Sequence, residues 1–268
     1  MKYDNFTIIV QVPLHHNGIY ALQYYTKFCN VISSCYEENV ITENQKKIIS
    51  IYDNVELIQG KLPTIPRYNG CSTFVHTFST LNGLRLVDTE YVIKIRFDEI
   101  YSDIEPMIKA IIANPKKLVT NNIAFNRCTE CLFHPSDHMI GGKTKNIVKM
   151  LKFVRELCLN NPMSDQNFPY KLLDIGINDG GCTNEVIWCV AYLKSIGVDF
   201  SDFISTDNER RVLLASEIMR EHTFCVPVEE LGKDVIWTCH HNGTRIHRRG
   251  NDGLYGYWCD SIRRIEEC

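Results

Sequence analysis

Apolar and polar positions along this chain fall into blocks whose lengths alternate between those of strands and those of helices. Phe6 to Val12 is a β-rich run closed by Pro13, and Gly18 to Cys29 carries Ile19, Leu22, Tyr24, Tyr25 and Phe28 at helical spacing, so the chain opens strand, loop, helix. Val31 to Cys35 reads as a second strand. A polar segment with Glu37, Glu38, Glu43, Lys46 and Lys47 follows, then Val55 to Ile58 as a short strand ended by Gly60 and Pro63. Thr73 to Leu86 is an amphipathic helix feeding a strand over Tyr91 to Phe97. Pro106 to Ala113 is helical, with proline near the first turn where its missing amide donor costs nothing. Leu118 to Phe125 is strand-like, and Ile147 to Leu159 is a helix with Lys149, Lys152 and Arg155 on its polar positions.

The last third is less regular. Tyr170 to Ile177 predicts a strand, Thr183 to Ile196 a helix, Phe203 to Thr206 a short strand, and Arg210 to Glu221 a helix whose first turn follows the cap residues Asp207 and Asn208. After Val235 the chain is short of apolar residues and rich in His, Gly and Arg. Strands alternating with helices from the first residues predict an α/β fold, a mostly parallel sheet covered on both faces, with a less regular C-terminal extension. Without a repeat, a low-complexity tract or a clear linker, residues 1–268 read as a single domain, and NNPMSDQN, Asn160 to Asn167, is the fallback boundary.

Composition narrows the class. A chain of 268 residues that is 44% hydrophobic and 23% charged is an ordinary globular protein with enough apolar residues for a large core. A net charge of -3 argues against nucleic-acid binding by bulk electrostatics. The apolar run near the amino terminus is too short for a signal-peptide core, and no segment approaches the roughly twenty apolar residues of a membrane span. The expectation is a soluble, cytoplasmic protein without a transmembrane segment. Twelve cysteines are many, but Cys29, Cys158 and Cys189 sit inside apolar runs, where a reduced thiol behaves as a small hydrophobe. Cys128, Cys131 and His134 in RCTECLFH have the spacing of half a zinc site, which His240 and His241 beside Cys239 could complete in space; buried thiols are the simpler reading.

The densest chemistry lies in YVIKIRFDE, Tyr91 to Glu99, where a core strand runs straight into Lys94, Arg96, Asp98 and Glu99. In an open α/β sheet, ligands bind outside the carboxyl ends of the strands, so this exit is where a charged ligand or metal would be met. The simpler reading is an ion pair capping a strand end.

Two stretches carry a resemblance to a known family. STLNGLRLVDTEYVIKIRFDEI, Ser79 to Ile100, followed by FHPSDHMIGG, Phe133 to Gly142, resembles the WavE-type glycosyltransferases of lipopolysaccharide synthesis and their relatives in large DNA viruses. The likeness runs from about residue 6 to residue 160 and is one of motifs, in their order and separation. It implies a GT-A-like mixed, mostly parallel sheet, a hexosyl- or pentosyltransferase activity using a nucleotide-sugar donor such as a UDP-sugar, and Mn²⁺ or Mg²⁺ as cofactor. It places the nucleotide-sugar part at about residues 1–160 and the acceptor side at about 161–268. The acceptor would be a glycan or glycoprotein, and the viral relatives turn it from lipopolysaccharide to a protein-linked glycan.

Carried onto these residues, the resemblance makes Asp98 the protein ligand of a cation on the donor's diphosphate, since oxygen ligands and the donor's own phosphates suit such an ion. Arg96 stands where many GT-A enzymes have the first acid of their D-x-D motif. It would contact phosphate with its planar fork, or pair with Asp98 or Glu99 to hold the loop. Lys94 joins the donor-binding set, as do His15 and His16, which with Asn17 follow the first strand. Upstream of STLNGL the family has an arginine followed by glutamine; here stand Val75 and His76, and His76 is a partial substitute for a donor contact.

Inverting transfer, which the resemblance favours, needs a group to take the acceptor hydroxyl's proton. Asp137 is the first candidate, lying between Ser136 and His138 ahead of a Gly141–Gly142 turn, with His138 where the family usually carries an aromatic residue. Glu185 is the second, although an acid in a helix's first turn is favourable for structural reasons alone. Arg248, in the C-terminal cluster with Arg245 and Arg249, could close over the leaving diphosphate as part of a lid. The rival reading is a methyltransferase. LLDIGINDGG, Leu172 to Gly181, resembles a class I S-adenosylmethionine motif, and STDNE, Ser205 to Glu209, supplies acids for a ribose, but too little chain follows for the rest of such a sheet.

Overall fold

The computed structural model describes residues 3–11, 18–37, 41–61, 73–96, 99–123, 128, 131–160, 184–232, 234–239 and 243–248. Seven strands form the main sheet: β1 (Phe6–Gln11), β2 (Asn30–Tyr36), β3 (Val55–Gly60), β4 (Tyr91–Arg96), β6 (Leu118–Asn121), β7 (Met139–Lys143) and β8 (Thr223–Val226). Their order is β3-β2-β1-β4-β7-β6-β8. All neighbours are parallel except β7, which runs antiparallel to both β4 and β6. The mixed, mostly parallel sheet flanked by helices is the architecture expected. Its one reversed strand determines where the site forms.

Alternation along β1 explains the two covered faces. Phe6, Ile8 and Val10 join one apolar layer with Ile19 and Leu22 of α1 (Gly18–Tyr25) and Met107, Ile108 and Ile111 of α4 (Glu105–Ala113). Ile9 faces the other layer, with Phe74 of α3 (Thr73–Leu84), Met150 and Val154 of α5 (Thr144–Asn160) and Trp188 and Tyr192 of α6 (Asn184–Ser195). On α5 the buried positions Ile147, Met150, Leu151, Val154 and Cys158 form one helical stripe. The second face closes tightly at Gly83, where a Cβ would come within 2.9 Å of Ile9 Cγ2.

Several elements depart from the sequence reading. The polar stretch after β2 contains a helix, α2 (Glu43–Ile49), started by a capping box in which Thr42 accepts from the Gln45 amide and Gln45 accepts from that of Thr42. Phe203 lies in a helix rather than a strand: Asp199 accepts the Ser201 amide and hydroxyl, initiating the short α7 (Ser201–Ile204). Its Phe203 ring packs on Phe133. Gly141 and Gly142 lie within β7, not in a turn, because α4 passes so close that a Cβ on Gly141 would stand 2.5 Å from Ile111 Cδ1. The helix after Asp207 is as expected, α8 (Asn208–His222), with the Asp207 side chain accepting the Arg210 amide. A second sheet of β5 (Glu99–Tyr101), β9 (Asp234–Cys239) and β10 (Gly243–Arg248) takes in part of the segment read as irregular. The strand expected over Tyr170 to Ile177 and the fallback boundary near Asn160 to Asn167 fall almost wholly outside the described residues, as does LLDIGINDGG. Among the described residues no helix is long and apolar enough to cross a membrane.

Candidate functional site

The strand order reverses its direction of growth at β1 and β4: β2 and β3 lie on one side, β7, β6 and β8 on the other. A crevice opens above such a switch point, at the carboxyl ends of the parallel strands. Gln11 ends β1 and Arg96 ends β4, and the two are paired in register, as are Ile9 and Lys94 two residues before them. Because β7 is antiparallel, its beginning reaches this same edge. The Arg96 amide donates to the His138 carbonyl at 3.3 Å, so Asp137 and His138 arrive beside Lys94 and Arg96. The two helices covering this face begin here too. Thr73 opens α3 and Asn184 opens α6, and the Thr73 hydroxyl donates to the Asn184 side-chain oxygen. Two positive helix ends therefore converge on the crevice.

Lys94 is 1% exposed. Its ammonium donates to the Asp137 main-chain carbonyl and lies 4.9 Å from the Trp188 ring centroid. Trp188 is held in turn by its indole N–H, which donates to Thr77 Oγ1 at 3.1 Å. Arg96 places Nε 3.6 Å from Glu99 Oε1 and Nη1 4.0 Å from Asp137 Oδ1. The pairing of Arg96 with Glu99, one of the two arrangements the sequence left open, is thus present.

Asp137 is wholly buried. Its Oδ2 accepts from Asn184 Nδ2 at 3.4 Å and stands 3.7 Å from His76 Nδ1, while Oδ1 has no hydrogen-bond partner. Burial alone would raise its pKa, but Lys94, then His76, His138 and Arg96, outweigh burial and hold the carboxyl well below its usual range. Burial pushes His76 below the ordinary histidine value despite Asp137, so its imidazole is neutral at pH 7. His138 goes the other way: burial opposes its charge, but the Glu99 carboxylate bonded to Nδ1 raises its pKa. Glu99 also accepts the Tyr101 hydroxyl at 2.6 Å, and Asn121 Nδ2 donates to that hydroxyl at 2.9 Å. Burial and Glu99 push the Tyr101 phenol well above its normal value.

The loop carrying these groups is anchored by strain and packing. Phe133 has φ 57°, a left-handed conformation that bulky residues rarely adopt, and its ring is held between Phe200 and Phe203. His134 follows with Nε2 3.8 Å from Glu185 Oε2. One ligand atom each from Asp137, His138 and Glu185 lies within 4.8 Å of the others, so the donor set of two carboxylates and an imidazole fits a divalent cation. Among the described residues Cys128, Cys131 and His134 do not converge in this way, and His240 and His241 lie outside the described residues. Cys128 and Cys131 pack against the apolar layer around Trp188, and burial raises the Cys128 thiol.

Of the residues expected from the sequence, Lys94, Arg96, His76, Asp137 and Glu185 come together at this crevice. His15, His16 and Asp98 lie outside the described residues, and Arg248 is the last residue of β10. Glu99 and His138 emerge as a buried pair, and Asn184 as the bridge between His76 and Asp137. Gln11 is 0% exposed and neither atom of its amide has a hydrogen-bond partner. A glutamine ending an otherwise apolar strand was the available signal for it.

No known protein family's profile matches the chain, and no curated protein matches it. Among solved structures it is similar to the galactosyltransferase LgtC in complex with donor and acceptor sugar analogues, at 12% identity and TM-score 0.40 over 68% of this chain and 73% of that one. An active-site mutant of LgtC gives 11% identity and TM-score 0.39 over 68% and 72%.

Proposed function

We propose that this chain is a glycosyltransferase that moves a sugar from a nucleotide-diphosphate donor to a glycan hydroxyl. The observation that carries the reading is the pairing of Lys94 and Arg96 with two helix N-termini at the switch point of the sheet, beside an unpartnered buried amide at Gln11. Fixed positive charge and oriented amide dipoles in a poorly solvated crevice suit a leaving diphosphate, whose developing charge they neutralise without reorganisation. Ile9 and Lys94 face the layer under α3 and α6, and two residues further on Gln11 and Arg96 share that face, so the orphaned amide lies beside the guanidinium. A ligand with several acceptor oxygens and donor hydroxyls would satisfy it.

The likeness to WavE-type enzymes supports the finer assignment: a UDP-sugar donor, inversion, and Mn²⁺ or Mg²⁺ at Asp98 with His15 and His16 beside the nucleotide. Arg248 would close over the diphosphate, and a lipopolysaccharide or protein-linked glycan would be the acceptor. Asp137 is ionised at every working pH, which suits holding an acceptor hydroxyl, but a carboxylate with so low a pKa is a weak proton acceptor. Glu185, at the opening of α6, is then the better placed to receive the proton, with His134 behind it.

The test is nucleotide release from UDP-, GDP- and dTDP-sugars, with Mn²⁺ and a glycan acceptor mixture, followed by chromatography. One donor should be consumed, and Arg96→Ala should slow it by about 10²-fold or more, as loss of a charge-stabilising group does. Donor consumption by no sugar nucleotide, or unchanged turnover in Arg96→Ala, would contradict the proposal.

A further inference from the structure

We infer that Gln11 selects the sugar part of the ligand: its carboxamide hydrogen-bonds two neighbouring hydroxyls while Arg96, on the adjacent strand, takes the phosphate. The inference rests on the transferase reading and names the part of the donor that this side chain recognises. Gln11 is the last residue of β1, is fully buried, and has no hydrogen-bond partner at either its oxygen or its nitrogen. A buried amide in that state costs stability, and an apolar side chain of similar shape would avoid the cost. A residue that weakens the fold in this way is explained by a ligand that completes it.

The polar groups around Gln11 are already matched to one another. Ser34 pairs with it in register on β2, but the Ser34 hydroxyl donates to the Ser79 carbonyl of α3 at 2.6 Å, and the Ser79 hydroxyl donates back to the Ser34 carbonyl at 3.1 Å. The other buried hydroxyls of α3 are engaged too: Thr73 with Asn184, Thr77 with Trp188 and Thr80 with the His76 carbonyl. Close contact fixes α3 over this face, since a Cβ on Gly83 would come within 2.9 Å of Ile9 Cγ2 and 3.3 Å of Ser34 Cβ. On the other side, Arg96 faces Glu99 and Asp137.

The chemistry of the amide selects the group it takes. A carboxamide is neutral, with donors on its nitrogen and an acceptor at its oxygen. Diphosphate oxygens only accept, so they would satisfy the nitrogen and leave the oxygen unmatched. Two vicinal hydroxyls satisfy both, one accepting from the nitrogen and the other donating to the oxygen. Neighbouring strands lie about 4.8 Å apart, so with phosphate at Arg96 the group in reach is a sugar attached to the diphosphate, either the ribose or the sugar to be transferred. A nucleobase stands a whole ribose farther away. The guanidinium beside the amide turns to the phosphate as the ligand enters, which brings the covered amide within reach.

The experiment is calorimetric titration of UDP, GDP, their 2′-deoxy counterparts, UDP-glucose, GDP-mannose and pyrophosphate, in Mg²⁺, into the parent chain, Gln11→Met and Ser33→Ala, with urea unfolding of each. Ser33 is the control, a buried hydroxyl without a partner that pairs with Val10 and so faces the opposite layer. Gln11→Met should raise the urea midpoint, bind pyrophosphate as the parent does, and weaken the preferred sugar ligand by about 10-fold or more. Ser33→Ala should bind every ligand as the parent does. If the ribose is the group read, the nucleoside diphosphate weakens in Gln11→Met, its 2′-deoxy form weakens in the parent, and the two losses do not add. If the transferred sugar is read, the nucleoside diphosphate binds alike and the sugar nucleotide alone weakens. Equal affinities in parent and Gln11→Met, an equal loss for pyrophosphate, or a lower urea midpoint would overturn the inference while leaving the transferase reading in place. So would a nucleoside diphosphate that weakens in Gln11→Met while its 2′-deoxy form binds the parent undiminished. A parent chain that binds no nucleotide or sugar nucleotide would overturn both.

Discussion

Asp137 and the two histidines beside it set how this crevice responds to pH. Asp137 has a depressed folded pKa, so its contribution to stability is present above the unfolded value of about 3.9 and is lost as pH falls through the folded one. Replacing it by Asn leaves Lys94 and Arg96 without that counter-charge and should cost about 3 kcal/mol at pH 7 by urea denaturation, with a shallower loss of stability in acid. His76 and His138 should give opposite slopes. The raised pKa of His138 contributes stability below about pH 6.5 that is lost as pH rises through the folded value. The lowered pKa of His76 means stability is lost as pH falls below about 6.5, because a buried neutral ring must take up charge. Unfolding free energies between pH 5 and 8 should therefore flatten on the alkaline side in His138→Asn and on the acid side in His76→Asn. At this scale the sequence displayed Lys94 and Arg96 plainly, since charges at the end of an apolar strand are conspicuous. It concealed the Glu99–His138 pair, whose members are far apart in sequence and meet only through the sheet.

Among elements, glycines mark the close approaches. A methyl group on Gly141 would meet the ends of the Ile111 and Met107 side chains at 2.5 and 3.2 Å and the Val92 carbonyl at 3.2 Å, so Gly141→Ala must turn those two side chains out of well-packed positions and ease β7 slightly away from β4. The expected cost is about 1–3 kcal/mol, seen as a lower denaturation midpoint with an unchanged slope. Since β7 carries Asp137 and His138 to the crevice, the same substitution should also weaken ligand binding at the site. Most helices and strands could be read from periodicity because each buries one regular stripe or face, as α5 does. The exceptions have local causes. A Gly-Gly pair looks like a turn, yet here it is the thin part of a strand under a helix. Phe203 looks like part of a strand, yet an aspartate-led turn winds it into a helix so that its ring can brace Phe133. That β7 runs antiparallel was not legible at all, because strand direction is set by the connections rather than by the strand's own residues.

For the whole molecule, the sheet order, the reversed strand and two helix N-termini bring Lys94 and Arg96 together with Asp137, Glu99 and Glu185 at one end of the sheet, in a chain whose net charge is -3. On the proposed reading, binding of a nucleoside diphosphate here should depend only moderately on salt, less than at a surface patch, because Lys94 is buried and Arg96 mostly so and such charges are poorly screened. The overall class was legible from the alternation of strand and helix blocks, whereas the convergence of His76 and Asn184 on Asp137, and the pairing of Gln11 with Arg96, required the strand order. The most direct measurement is a thermal-shift panel of UDP, GDP, dTDP and S-adenosylmethionine, each with and without Mn²⁺, on the parent chain and on Arg96→Ala. Ligands that bind only the folded state raise its melting temperature in proportion to affinity. The account predicts that one nucleoside diphosphate stabilises the parent chain and that the shift is lost in Arg96→Ala. Stabilisation by S-adenosylmethionine alone, with no response to any nucleoside diphosphate, would contradict it.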